Sequence, residues 1–216
     1  MYKISHEIPS VHIDVSKYDA IISIGNKCPT AMTLRKLNIY KEAYPFDCIP
    51  TTPKLILKYL KNQEDFFPSK NVVSTADGVW FGHYDINEKY EETIETLKRR
   101  FTRLLNSLEE KKKILFVYTS EADFYNEMGN RYNDNYAELL NIQEYIKNKY
   151  NYDNFSILAI HTNKQYSNTE GIFNFTMHVD DGLCSDNGET HHLEICIVYR
   201  DILKSLLAHI FGVPNN

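Results

Sequence analysis

A chain of 216 residues, 43% hydrophobic and 25% charged, can bury one sizeable core and has the charge density of an ordinary globular domain. A formal charge of -5 argues against a general nucleic-acid binder, and no apolar run has the length of a membrane span or the form of a secretory leader. Four cysteines (Cys28, Cys48, Cys184, Cys196) without such a leader read as reduced thiols in the cytoplasm rather than as a disulfide framework.

The opening residues, with His6 and His12, read as a loose lead-in. Residues 20–24 read as a buried strand, followed by a turn at Gly25, Asn26 and Lys27. A helix over 29–38 follows, with Pro29 at its first position, Cys28 at its N-cap, and Ala31, Leu34 and Leu37 on one stripe. Residues 44–50, punctuated by Pro45 and Pro50, read as a loop. Thr51 or Thr52 then caps a helix that carries Pro53 in its first turn and turns Leu55, Ile56, Tyr59 and Leu60 inward. Asp77-Gly78 between two apolar runs is a hairpin turn signal, and the second run ends at His83 and Asp85. Apolar residues at helical spacing predict a long helix over 88–110. Buried strands follow at 114–118 and 155–160, with a helix near 134–149 between them. Residues 172–179 alternate as a strand, 180–188 form a loop by composition, and 191–211 favour a helix.

Continuous apolar strands alternating with helices predict one α/β domain over 1–216: a largely parallel sheet flanked by helices, with a β-hairpin insertion. In such sheets ligands bind at the carboxyl ends of the strands. The Gly25–Cys28 turn, Tyr118-Thr119 and His161 all fall at such ends.

Several groups there could carry chemistry. A helix N-terminus offers unpaired N–H donors and partial positive charge, so Cys28 has the setting of an activated thiol. A thiol nucleophile needs a base within reach. Among the eight histidines, His83 stands out because it ends an aromatic run, with Asp85 two residues on and Gly82 leaving room for a close approach. Arg99 and Arg103 share a helical face beside Arg100, and read either as salt-bridge partners or as a clamp for an anion. His178, Cys184, His191, His192 and Cys196 match no usual zinc spacing, and neither metal nor cofactor is predicted. The turn before Cys28 lacks the glycine and lysine pattern of a phosphate loop, although the helix start could still take an anion.

The run Ile22-Ser23-Ile24-Gly25-Asn26-Lys27-Cys28-Pro29-Thr30-Ala31, then Leu34, then Tyr44-Pro45-Phe46-Asp47 and Ile49, resembles the start of a family described as papain-like cysteine peptidases, domain of unknown function 1796. His83-Tyr84-Asp85, Arg99-Arg100 and Leu115-Phe116-Val117-Tyr118 resemble its later segments, so the resemblance spans roughly residues 18–160. Cys48 stands where that family tends to have Trp, Tyr84 separates His83 from Asp85, and Tyr118 replaces a strand-end Arg. The resemblance implies a cysteine-dependent hydrolase or acyl transferase acting on a peptide or other amide or ester. Cys28 would be its nucleophile and His83 its acid and base. Asp47 or Asp85 would orient the imidazole, and the Gly25-Asn26 turn with the helix start would supply oxyanion donors. Two other readings stay open. One is a transferase that holds a nucleotide-sugar or other phosphorylated donor with Arg99, Arg100 and Arg103. The other is an inactive binding module of the same fold. No nucleic-acid or membrane partner is expected, and the sequence leaves the oligomeric state open.

Overall fold

The computed structural model describes residues 4–6, 9–25, 28–120, 136–179 and 194–215. Its strands are β1 (Ile4–His6), β2 (Ala20–Ser23), β3 (Ile114–Thr119), β4 (Phe155–Thr162) and β5 (Ile172–Val179). Its α-helices are α1 (Cys28–Lys36), α2 (Pro53–Lys61), α3 (Tyr90–Glu109), α4 (Tyr136–Tyr150) and α5 (Glu194–Phe211). One sheet runs β1-β5-β4-β3-β2. Strands β2 to β5 pair in parallel, and β1 closes the far edge antiparallel to β5, with Ser5 opposite His178. The α/β class and the mostly parallel sheet expected from the sequence are therefore present.

Alternation sends side chains to two cores. Ile22, Phe116, Tyr118, Ile157 and Ala159 face α2, α3 and α4. Leu115, Val117, Leu158 and Ile160 face α1 and α5. Every residue of β3 is buried, as its unbroken apolar sequence requires of a strand covered on both sides. No described helix is long and apolar enough to cross a membrane.

Three features depart from the sequence reading. The opening segment is tied down: β1 pairs with β5, and His12 Nδ1 lies 3.1 Å from the carbonyl of His209. Backbone hydrogen bonds can hold a short edge strand that carries no periodic signal. The hairpin shrinks to one antiparallel bridge, Ser74 with Trp80, around a turn in which Gly78 takes φ 74°. Thr75 explains the compact form, because its backbone and side chain both bond the Val79 segment. Parallel strands β4 and β5 are joined by residues 163–171 without a helix, where a helical crossover is usual.

Candidate active site

Strand β2 leads directly into the site. Gly25 follows it with no room for a side chain: a Cβ there would come 1.8 Å from Thr30 Oγ1 and 3.0 Å from Thr119 Oγ1. The two threonine hydroxyls sit 2.5 Å apart and tie the first turn of α1 to the end of β3. Helix α1 begins at Cys28 itself, one residue earlier than the N-cap reading, with Pro29 buried in its first turn. Asn26, read as part of an oxyanion turn, lies outside the described residues.

Helix α1 ends because Asn38 adopts a left-handed conformation, φ 56°. The Asn38 and Ile39 amides then bond back to the Arg35 and Leu34 carbonyls, a C-terminal cap that turns the chain around. The returning segment places Tyr40 beside Asp47. Asp47 is 1% exposed and accepts hydrogen bonds from Arg35 Nη2 at 2.8 Å, from the Tyr44 amide at 3.2 Å and from the Tyr40 hydroxyl. Burial pushes the Asp47 carboxyl above its ordinary range; Tyr40, Arg35 and the amide pull the other way. Arg103 bonds the Ala43 carbonyl and pairs with Glu42 at 3.5 Å, and Phe46 packs edge-on against Phe66 and Phe101. The 42–49 loop is thus pinned by both charge and aromatic packing.

That pinning delivers Cys48. It sits at φ 56°, a left-handed conformation that residues with a Cβ rarely adopt. Cys28 hydrogen-bonds Cys48, and Arg35 Nη1 lies 3.9 Å from the Cys48 sulfur. Arg35 is seven residues beyond Cys28, two turns along the same face of α1. The Cys48 thiol is lowered to about 6, first by the Cys28 hydrogen bond and then, against burial, by the bond and charge of Arg35.

His83 arrives from the other side. Phe81 is buried against Phe66, ring centres 5.5 Å apart. Tyr84 packs on Phe81 and accepts a hydrogen bond from Arg100 Nη1 at 2.7 Å. These two anchors present the exposed His83 between them, and its Nε2 lies 3.3 Å from Cys28 Sγ. Gly82 does allow a close approach, and the group that uses it is Trp80, whose ring lies where a Gly82 Cβ would project and is itself 51% exposed.

The structure therefore brings Cys28 and His83 together. It does not bring either candidate carboxylate to the imidazole. Asp47 is committed to Arg35, Tyr40 and Tyr44, and Asp85 accepts from the Glu88 amide at 3.0 Å, ahead of α3. Among the described residues, the hydrogen-bond partner of His83 is Cys28. The arginine clamp is also not assembled. Arg100 turns to Tyr84, Arg103 to the 42–43 backbone and Glu42, and Arg99 is exposed without a described ion pair. Their stagger around α3 sends the three guanidiniums to different neighbours. His178 lies in β5 on the opposite side of the sheet from β2, while Cys184, His191, His192 and the Cys196 side chain lie outside the described residues.

Sequence reasoning missed Arg35, Tyr40 and Cys48. The seven-residue spacing from Cys28 to Arg35 was the available signal for the first. Nothing local marks Cys48, whose role in the site comes from a loop brought back by contacts distant in sequence.

A thiol and an imidazole in contact at the carboxyl end of a parallel strand, beside a helix start, form the constellation of thiol-dependent acyl chemistry. Residues 19–79 match a family model described as "Putative papain-like cysteine peptidase", domain of unknown function 1796. The matched segment includes Cys28, Asp47 and Cys48 and stops short of His83. At family level the match supports a cysteine hydrolase. No curated protein and no solved structure matches the chain.

Proposed function

We propose that the protein is a cysteine-dependent hydrolase or acyl transferase in which Cys28 attacks an amide or ester carbonyl and His83 moves the proton. The observation that carries this reading is the 3.3 Å contact between Cys28 Sγ and His83 Nε2, at a partly exposed thiol on a helix start.

Nε2 takes the Cys28 proton as the sulfur bonds to the carbonyl carbon. The carbonyl oxygen becomes an oxyanion beside the start of α1, where the helix dipole places partial positive charge. The imidazolium then gives its proton to the leaving nitrogen or oxygen, and a thioester on Cys28 remains. A water or another acceptor, activated by the neutral imidazole, cleaves that thioester and regenerates the thiol. Tyr84 and Phe81 act as positioning residues for His83, because they fix the backbone on both sides of it.

The test is turnover of a p-nitrophenyl ester by the full chain, with the acyl group located by peptide mass spectrometry after an acid quench. The expected result is a thioester on Cys28 that is absent in Cys28→Ser and persists longer in His83→Ala. An acyl group found on Cys48, or turnover that survives Cys28→Ser, overturns the proposal.

A further inference from the structure

Cys48 is the reactive group the proposed reaction leaves unused. It is half-buried, free, in contact with Cys28, beside a guanidinium, and held in a backbone conformation that a side chain rarely adopts. Unfavourable backbone states persist where the surroundings over-determine them. Here the Asp47 anchors on one side and buried Ile49 on the other fix the residue between them.

We propose that Cys48 is a peroxide-reactive modification site, and that its oxidised sulfur is resolved by Cys28 into a reversible disulfide that silences the nucleophile. The regulatory half of this inference rests on the hydrolase reading; the thiol chemistry does not.

The steps balance without a metal or cofactor. The oxidant is a hydroperoxide. The Cys48 thiolate attacks the outer peroxide oxygen, the O–O bond breaks, and the departing alkoxide or hydroxide takes a proton. Cys48 is then a sulfenic acid, oxidised by two electrons, and the peroxide is reduced by two. Cys28 passes its proton to His83 and attacks the Cys48 sulfur. The S–S bond forms, the S–O bond breaks, and hydroxide leaves with the proton held by His83 as water. A dithiol reductant restores both thiols by exchange through a mixed disulfide.

The division of labour follows from the surroundings. The attacking thiol must be a thiolate at neutral pH, and Arg35 together with the Cys28 hydrogen bond supplies that condition at Cys48. The resolving thiol needs contact with the oxidised sulfur and a base, and Cys28 has both. Two adjacent thiolates would repel each other, and oxidation of one sulfur removes that repulsion.

The experiment uses the reduced full chain and substoichiometric hydrogen peroxide, followed by alkylation of free thiols, digestion and peptide mapping. The expected product is a Cys28–Cys48 cross-linked peptide pair that dithiothreitol reverses. In Cys28→Ser, dimedone should capture a sulfenic acid on Cys48. In Cys48→Ser, oxidation at Cys28 should slow by about tenfold or more, as the loss of a preformed thiolate predicts. A cross-link to Cys184 or Cys196, or dimedone capture at Cys28 with Cys48 still alkylatable, overturns the inference. If the serine variants do not fold, the wild-type peptide map alone decides it. Acyl trapping on Cys28 in the reduced protein is run in parallel. Trapping without the cross-link overturns this inference and keeps the hydrolase reading; the cross-link without trapping keeps the thiol pair and removes the hydrolase.

Discussion

His83 and His161 each end an apolar run that belongs to the same core, and they are held in opposite ways. His161 is fully buried, with Nε2 2.9 Å from Asn174 Oδ1 and the rings of Tyr118, Tyr136 and Tyr166 around it at 4.7 to 6.0 Å between centres. His83 is exposed and touches a thiol. A histidine enclosed by rings and an amide cannot reach a substrate. A histidine on an anchored backbone with a free face can. In sequence the two are alike, because a strand end is all that local pattern can report. The difference is made by what folds over each of them.

The sharpest way to break this contrast is to exchange the losses. His83→Ala should lower ester turnover by about 10²–10⁴, the usual span of a general acid–base group, and leave the denaturation midpoint almost unchanged. His161→Ala should do the reverse. It strips Asn174 of a buried partner and costs about 1–3 kcal/mol of stability, while turnover per folded molecule is retained. Urea denaturation alongside kinetics separates the two outcomes. If His83→Ala unfolds the protein, or if folded His161→Ala is inactive, the assignment of roles is wrong.

The carboxylates repeat the contrast one layer further in. Asp47 anchors a loop, so Asp47→Ala should cost about 2–3 kcal/mol by leaving the Tyr40 hydroxyl and the Tyr44 amide without their buried acceptor. The Arg35 side chain is 43% exposed and can turn to water, so its half of the pair is discounted for screening. In Arg35→Ala the carboxyl stays buried without its cation, and the penalty should shrink as pH falls. The folded protein already binds that proton more tightly than an ordinary aspartate, so acid relieves the buried charge. Stability measured against pH in Arg35→Ala checks the sign. A loss that grows on acidification would contradict the reading of Asp47 as a buried charge held by Arg35.

Most of the fold is legible in the chain. The apolar runs at 114–119 and 155–162, the helical stripe of Leu97, Phe101, Leu104 and Leu108, and the Thr52–Pro53 cap each announce an element through its own period or punctuation. β1 is silent because three residues cannot show a period, and its partner β5 lies at the other end of the chain. Cys28 is legible for the same local reason as the cap, since a strand, a turn and a proline mark a helix start. His83 is legible as an end of a run, but its distance from Cys28 is fixed by Phe66, Phe81 and Phe101, which meet only after α2 and α3 pack. Asp47 looked like an orienting carboxylate because an acid near the thiol in sequence is the available signal. Its partners Arg35 and Tyr40 could be placed only once Asn38 had turned the chain.

Gly25 tests whether the thiol's position depends on the junction of β2 and α1. In Gly25→Ala the new Cβ collides with the Thr30 hydroxyl, which is itself bonded to Thr119. Overpacking at such a junction costs about 1–3 kcal/mol. The first turn of α1 should shift with it, so thioester formation at Cys28 should fall by more than the stability change explains. Normal acylation in a destabilised Gly25→Ala would show that Cys28 is positioned from the loop side alone.

The smallest effect concerns the second thiol, beside the Cys28–His83 pair. The Cys48 thiol titrates at about 6, below an ordinary thiol, so the folded chain releases this proton more readily than the unfolded chain. Its contribution to stability is present above the unfolded value and is lost as pH falls through about 6. The alkylation rate of Cys48 against pH reads the midpoint directly. Cys28→Ala should move that midpoint upward, because the Cys28 hydrogen bond is the largest cause of the lowering. Arg35→Ala should move it in the same direction by less, because the guanidinium stands 3.9 Å off and shares itself with Asp47. A reversed order would make Arg35 the principal activator of Cys48. The thiol of Cys28 would then belong to His83 alone, and the two sulfurs would act as neighbours that share no proton.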